Sequence, residues 1–146
     1  MTYRELSPDE VELVLEKERV VRISFSAEGE SYVVPVFFTW HEGALCGLTT
    51  PGRKTRMGER NPAVGFQVDS TATTGPWEWA SVVGQGMFAQ VPDPMESGLF
   101  AAKLWSRMGD APDWAGAMLR ARFDELGVYP WRIIPATMLG RAHGRE

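Results

Sequence analysis

Cysteine and histidine are scarce in this chain of 146 residues, which contains one cysteine and two histidines. One cysteine excludes an internal disulfide and a cysteine-rich zinc site, and Cys46 lies in an apolar segment that is typical of a small core residue. His41 and His143 are far apart in the sequence, and neither adjoins an evident nucleophile or second metal ligand. We therefore expect no metal site, and the scarcity of cysteine fits a reducing compartment.

The chain also lacks long apolar runs and an excess of positive charge. It begins with the polar sequence MTYRELSPDE, and no segment approaches the length of a membrane span. The formal net charge of −4 argues against broad binding to nucleic acid or to an anionic membrane surface. We expect a cytoplasmic protein that binds neither nucleic acid nor membranes.

The apolar content is sufficient for one domain over residues 1–146, because 44% of the residues are hydrophobic. Short segments of strand-like composition recur at 20–26, 31–40, 44–50, 63–70, 77–91 and 129–141. The segment SYVVPVFFTW (31–40) is apolar on both faces and should be covered on both sides, with Pro35 at an edge or gap of the sheet. This pattern predicts a mainly β barrel of the α+β class.

Helix signals lie near the start of the chain and in its second half. Ser7-Pro8-Asp9-Glu10 combines a cap, a proline and a capping-box glutamate. A similar start at Asp93-Pro94 opens a helical segment that runs to residue 126, with a break at 109–112 and Gly127 as its stop. Residues 93–126 therefore form a predicted helical insertion before the last strand.

The stretch TTPGRKTRMGERNP, which begins at Thr49, concentrates positive charge in an acidic protein. Its charged residues are Arg53, Lys54, Arg56, Glu59 and Arg60. It nearly matches a phosphate-binding P-loop, but Arg53 stands where that motif needs its lysine, and no long apolar helix follows. We therefore exclude a nucleoside triphosphatase. Hydroxyls, a glycine turn and two adjacent cations still suit one phosphate, although a solvated charged turn is the commoner structure for such a cluster.

The order of these segments resembles the pyridoxamine 5'-phosphate oxidase-like flavin-binding split-barrel family, and within it the small bacterial members grouped with 5-nitroimidazole reductases. The resemblance rests on YVVPVFFTW, LTT, PGRKTRMGERNP, AVGFQVD and WASVVGQG, and it covers residues 5–91, with WRIIPATMLGR similar to the closing strand. The segment 93–126 is the variable part. The resemblance implies a six-stranded split β-barrel with Greek-key character and flanking helices, and a homodimer with FMN in the crevices between its subunits.

The resemblance also implies a cofactor site. The implied phosphate ligands are Thr49, Thr50, Arg53 and Lys54, and the implied ring-lining residues are Val34, Pro35, Val36 and Phe37. Gln67, Trp79 and Ser81 would approach the same cofactor or that of the second subunit. The substrate-binding arginine and histidine of pyridoxamine phosphate oxidase itself have no recognisable match, so that specific activity is not expected.

We expect an FMN-binding protein that acts as an FMN-dependent oxidoreductase and moves a hydride from a nicotinamide donor to a small acceptor. The sequence identifies no catalytic residue, because the flavin carries out the redox chemistry and the protein supplies binding and electrostatics. The alternative is a non-catalytic binder of flavin, deazaflavin or haem on the same fold. A deazaflavin has the same phosphate and flat ring, whereas haem would need His41 or His143. A third hypothesis is a β-barrel module that serves protein interaction and binds no small molecule.

Overall fold

Eight strands hydrogen-bond into one curled antiparallel sheet in the computed structural model, which describes residues 2–145. The strands are β1 (Thr2–Glu5), β2 (Val20–Ala27), β3 (Glu30–Phe37), β4 (Thr39–His41), β5 (Ala44–Thr49), β6 (Ala63–Asp69), β7 (Trp79–Gln90) and β8 (Tyr129–Gly144). The helices are α1 (Pro8–Lys17), α2 (Arg53–Arg60), α3 (Thr71–Thr74), α4 (Pro94–Arg107) and α5 (Asp113–Leu126). The order across the sheet is β3-β2-β6-β7-β8-β5-β4, with β1 paired to β8. The fold is mainly β with flanking helices, as predicted.

The strand count differs from the six that the sequence predicts, because the described chain adds β1 and β4. The four residues of β1 pair with the end of β8 from Arg141 to Gly144. The three residues of β4 pair with the start of β5 and are separated from β3 by Phe38. Both strands are too short to show the alternation that identifies a strand in a sequence.

The inner face of the curled sheet encloses the main hydrophobic core. On β2, Val21, Ile23 and Phe25 point inwards and are almost fully buried, while the residues between them face outwards. The helix α1 packs Leu15 into this core, and its predicted capping box is present between Ser7 and Glu10. The core is thus built by strand alternation and by helices that pack on the sheet, since Met57 of α2 belongs to the same cluster.

The outer face of the sheet carries apolar side chains that the described chain leaves exposed. Val33 on β3 is 62% exposed, and Val83, Met87 and Leu139 on β7 and β8 are also exposed. The expectation that both faces of segment 31–40 are covered is therefore not met within one subunit. Pro35 does lie on an edge strand, as predicted, because β3 ends the sheet order.

A β-bulge interrupts the pairing of β7 with β8 between Gln85 and Gly86. A Cβ on Gly86 would collide with the carbonyl oxygen of Ile134, so the two strands approach closely only because this residue is glycine.

The helical segment forms two helices with the predicted ends. The Asp93 side chain accepts a hydrogen bond from the Met95 amide at 3.0 Å, and Gly127 ends α5 with a φ of 87°. Phe100 and Leu104 of α4 are buried, whereas no residue of α5 is. Across residues 2–145, no helix combines the length and the apolar character that crossing a membrane requires.

Candidate functional site

The basic stretch forms a helix, where the sequence favours a charged turn. The helix α2 begins after Gly52, whose amide donates to Thr55 Oγ1 at 2.9 Å while the same hydroxyl donates to the Gly52 carbonyl oxygen at 3.0 Å. Its buried face holds Met57 and Gly58, and a Cβ on Gly58 would lie 2.6 Å from the Phe88 ring. Close packing against the barrel therefore stabilises a helix that its charged sequence alone does not specify.

The start of α2 and the end of β5 form a cluster that we call the cationic seat, comprising Thr49, Thr50, Arg53 and Lys54. Both threonines are buried, and within residues 2–145 their hydroxyls have no hydrogen-bond partner. Arg53 and Lys54 occupy the first turn of α2, which contains no acidic residue. Cations are unfavourable at the positive end of a helix dipole, so this arrangement suits a bound anion.

Lys54 is the least compensated cation of the cationic seat. It is half-buried, and it makes no hydrogen bond or ion pair with any residue that the structure describes. Burial and the positive charge of Arg122 on α5 lower the pKa of Lys54 from its ordinary value. A phosphate would supply the missing counter-charge.

Arg53 joins the cationic seat to the edge strand β3. Its guanidinium lies 4.6 Å from the ring centroid of Tyr32 and 3.4 Å from the Glu30 carboxylate. At the other end of β3, the Phe37 carbonyl oxygen is 2.7 Å from where a Cβ on Gly47 of β5 would stand. The predicted ring-lining strand and the predicted phosphate ligands therefore lie on the same side of the barrel.

Gln67 lies in a polar cluster on the outer face of the sheet. Its amide nitrogen donates to Asp69 Oδ2 at 2.9 Å and to Ser81 Oγ at 3.3 Å, and Arg22 donates to its side-chain oxygen at 3.0 Å. Burial would raise the pKa of Asp69, but hydrogen bonds from Thr71 and Gln67 and the charge of Arg22 lower it below its ordinary value. Gln67 is thus held in one orientation by its neighbours.

A broad groove of about 750 Å³ lies over this part of the outer face. The strand register places Pro35, Arg22 and Gln67 in one row across β3, β2 and β6. Gln67 therefore shares a face with the outward residues of β3. Arg22 was not identified from the sequence, because an arginine that alternates with apolar residues on a strand is usually a solvated side chain.

Trp79 and Ser81 lie far from the cationic seat of the same subunit. The seat adjoins the start of β3, because Arg53 forms an ion pair with Glu30 at 3.4 Å. Ser81 pairs with Asp69 at the opposite end of the strands. Strands of seven or eight residues place these two ends roughly 20 Å apart. Within one subunit, Trp79 and Ser81 therefore do not complete the predicted phosphate site.

His143 lies near the end of β8. Its ring stacks on Trp79 with centroids 3.9 Å apart and meets Tyr3 edge-on at 4.6 Å. His41 lies elsewhere, beside Glu42. Among residues 2–145, no three histidine, cysteine or acidic side chains gather closely enough to hold a metal ion. Burial raises the pKa of the Cys46 thiol to about 12, so it is protonated at neutral pH.

A second groove, of about 410 Å³, lies between the α4–α5 connection and the barrel. Phe37 lines it from β3, and Trp114 lines it from the first turn of α5. Towards the other end of α5, the positive charge of Arg122 adds to burial in lowering the pKa of Lys54. Arg122 was missed in the sequence because nothing in segment 93–126 pairs it with the basic stretch.

Comparison with known proteins places this geometry in a family context. The family model described as pyridoxamine 5'-phosphate oxidase matches residues 7–142. A crystal structure of an FAD-binding protein from Mesorhizobium loti is similar with a TM-score of 0.79 and 29% identity, and the match covers 99% of both chains.

Two further solved structures share the fold at lower identity. A putative 5-nitroimidazole antibiotic resistance protein from Bacteroides thetaiotaomicron matches with a TM-score of 0.70 and 17% identity, over 97% of this chain and 87% of that one. The haem storage protein HutZ from Vibrio cholerae matches with a TM-score of 0.70 and 16% identity, over 94% of this chain and 96% of that one. These two likenesses concern the fold alone.

Proposed function

The chain belongs to the pyridoxamine 5'-phosphate oxidase family, and on that premise we propose that it binds FMN, with the phosphate in the cationic seat and the ring along β3. The observation that carries this proposal is the cationic seat itself. It combines a half-buried lysine and two threonine hydroxyls, none of which has a partner among residues 2–145, with the first turn of a helix next to an edge strand. Each of these groups suits a phosphate dianion.

The residues of β3 fit a flat ring. Val34 and Val36 are half-buried against the core, while Pro35 and Phe37 face outwards. As an edge strand, β3 has backbone groups on one side that no neighbouring strand uses. Those groups are available to the polar edge of a ring, and the valine side chains supply an apolar surface.

FAD contains the same ring and the same first phosphate, so the seat alone does not distinguish it from FMN. The Mesorhizobium loti protein, which is similar over 99% of both chains, is described as FAD-binding. A deazaflavin shares these groups as well. We therefore propose a flavin nucleotide as the ligand class and FMN as its first member to test.

We further propose that two copies form a homodimer through the outer face of the sheet. That face presents exposed Val33, Val83 and Leu139 around the polar cluster of Gln67. A second copy would bury these side chains on an equivalent surface, as twofold interfaces do. It would also bring a second set of Trp79 and Ser81 towards the cofactor.

The activity that we propose is reduction of a small molecule by a nicotinamide donor. A bound flavin supplies hydride transfer, and the chain places the ring and neutralises the phosphate. No side chain of this site is required to act as an acid or base.

Non-catalytic storage of a flavin, a deazaflavin or haem on this fold is the second candidate. The likeness to HutZ motivates haem, for which His143 or His41 would serve as a ligand. Absorption between 300 and 700 nm, recorded before and after addition of FMN or haem, separates these ligands. A Soret band that disappears in His41→Ala or His143→Ala would favour haem over flavin.

The decisive experiment titrates FMN and FAD against the protein and against the double variant Arg53→Ala, Lys54→Ala, with flavin fluorescence as the signal. Removing two charge-assisted contacts should raise the Kd for either nucleotide by about 100-fold. The control is Arg60→Ala, Arg120→Ala, which removes the same charge from exposed positions and should leave the Kd unchanged. Equal Kd values of the two double variants for FMN and FAD would contradict the proposal that the cationic seat binds the phosphate.

A further inference from the structure

The helix α5 is not held in place by packing on the barrel. None of its residues is buried, whereas the preceding helix α4 contributes Phe100 and Leu104 to the interior. The contact of Trp105 with Phe123, edge-on at 6.2 Å, attaches α5 to α4. The first turn of this 14-residue helix borders a groove of about 410 Å³, to which α5 contributes Trp114 and Ala115.

The two ends of α5 coincide with the two ends of the proposed flavin site. Near its start, Trp114 lines the same groove as Phe37. Near its end, the chain turns at Gly127 and enters β8 at Tyr129, which pairs with Thr49 of the cationic seat. The helix therefore extends from the ring end of β3 to the phosphate end of the site.

One side of α5 carries side chains that suit the ring and the phosphate of a flavin nucleotide. Trp114, Met118 and Arg122 are spaced at i, i+4 and i+8, which places them along one side of the helix. Trp114 is 68% exposed, and Met118 is exposed as well. Eight residues correspond to a rise of about 12 Å, which is comparable with the distance from the ring to the phosphate of a flavin nucleotide.

The charges at the phosphate end are uncompensated. Arg122 and Lys54 carry the same charge, and no hydrogen bond or ion pair to a carboxylate is made by either within the described chain. The chain has 19 acidic residues, so carboxylates are not scarce. The charge of Arg122 disfavours the charged form of Lys54, and an anion bound by both cations would offset this repulsion.

We propose that the stripe Trp114–Met118–Arg122 forms a third wall of the flavin site, in which Arg122 contacts the phosphate and Trp114 and Met118 cover the ring. This inference rests on the proposed function, and it assigns the helical segment the role of a binding wall. Arg122 would then be a phosphate ligand from outside the basic stretch.

The first test compares Arg122→Ala with Arg120→Ala. Arg120 is an exposed arginine of the same helix whose guanidinium lies close to Gly116 of that helix, so it is matched in charge and position. The probes are FMN and riboflavin, which has the ring but no phosphate. We expect Arg122→Ala to raise the Kd for FMN by about tenfold and to leave riboflavin unchanged, since only the phosphate contact is lost.

The second test compares Trp114→Ala with Trp77→Ala. Trp77 is 81% exposed, and it precedes β7 rather than lining the groove. We expect Trp114→Ala to weaken FMN and riboflavin alike, by about fivefold, because it removes a contact with the ring. Trp77→Ala should change neither affinity.

The outcomes separate this inference from the proposed function. If Arg122→Ala and Trp114→Ala bind FMN with the same Kd as their controls, the proposed role of α5 as a wall of the flavin site is wrong. A large increase in Kd for Arg53→Ala, Lys54→Ala would still support phosphate binding in the cationic seat. A protein that binds neither FMN nor FAD would overturn both proposals. An equal loss of FMN and riboflavin in Arg122→Ala would contradict the phosphate contact.

Discussion

The two faces of the same sheet differ in what they leave to solvent. Val21, Ile23 and Phe25 on the inner face of β2 are almost fully buried by the rest of the subunit. On the outer face, Val33 and Val83 of neighbouring strands remain more than half exposed. Both faces carry β-branched and aromatic residues, so strand composition alone does not distinguish them. Folding of one chain buries the apolar area of the inner face, whereas the outer face retains apolar area that association could bury.

The outer face also differs from the core in its polar content. Arg22, Gln67 and Asp69 form hydrogen-bonded contacts among the apolar side chains there, while the inner face of the same strands is apolar. Such a cluster fixes the orientation of its members and can specify the register of a partner surface. The inner face therefore stabilises the fold, and the outer face is available for recognition.

The largest expected effect on stability comes from removing a side chain that packs on the inner face. Phe25 is fully buried and meets Phe88 edge-on at 5.2 Å. Phe25→Ala should lower the free energy of unfolding by about 3–5 kcal/mol, because it removes buried apolar contacts and leaves a cavity. Urea unfolding followed by circular dichroism measures this change.

Ser24→Ala is the matched control, because it lies next to Phe25 on the same strand and faces outwards. We expect it to change the free energy of unfolding by about 0.5 kcal/mol or less. Similar losses for the two variants would remove the distinction between the faces.

A smaller effect is expected from placing a charge on the outer face. Val83→Asp should raise the Kd of the proposed homodimer by about 100-fold, since an unpaired carboxylate would be buried in the interface. Sedimentation velocity over a range of protein concentrations measures this shift.

Leu13→Asp provides the control for that experiment. Leu13 lies on α1 and is 56% exposed, close to the 54% of Val83, so the two changes are matched in chemistry and exposure. It should leave the association unchanged. A wild-type chain that stays monomeric at all concentrations would reject the homodimer, and equal dimerisation of both variants would exclude Val83 from its interface.

The smallest effect concerns an exposed pair outside both faces. Hydrogen bonds from Arg4 and from the Ser7 amide lower the pKa of Glu10 to about 2. The folded-state pKa is depressed, so this carboxylate contributes stability above its ordinary pKa of 4.5, and the contribution is lost as the pH falls towards 2. Glu10→Gln should therefore lower the Tm slightly at pH 7 and not at pH 2.

Glu16→Gln on the same helix is the control for this pH dependence. Its carboxylate makes no hydrogen bond to another described residue, so the variant should match the wild-type Tm at both values of pH. A Tm difference for Glu10→Gln that persists unchanged at pH 2 would assign the effect to packing or helix propensity rather than to charge.

Local signals predicted much of the fold. The cap at Ser7, the cap at Asp93 and the stop at Gly127 all lie where the sequence places them, because capping depends on residues within one turn. The short strands β1 and β4 and the helix α2 were not predicted. Each depends on contacts with distant segments, as the packing of Gly58 against Phe88 shows.

The candidate site divides in the same way. Arg53 and Lys54 are adjacent in the sequence, and a resemblance of motif order is enough to select them. Arg122 is 68 positions beyond Lys54, and only the path of the helical segment brings the two together. Trp79 and Ser81 illustrate the opposite case, because the strand register places them at the far end of the sheet.

By itself, the sequence determined the class of the fold, its helix ends and the location of one basic cluster in an acidic chain, because alternation, capping and charge are local properties. The tertiary structure alone decided which apolar face is buried, that Lys54 and the nearby threonine hydroxyls have no partner among the described residues, and that α5 ends close to Thr49. Burial and counter-charge depend on residues far apart in the chain, and only folding brings those residues into contact.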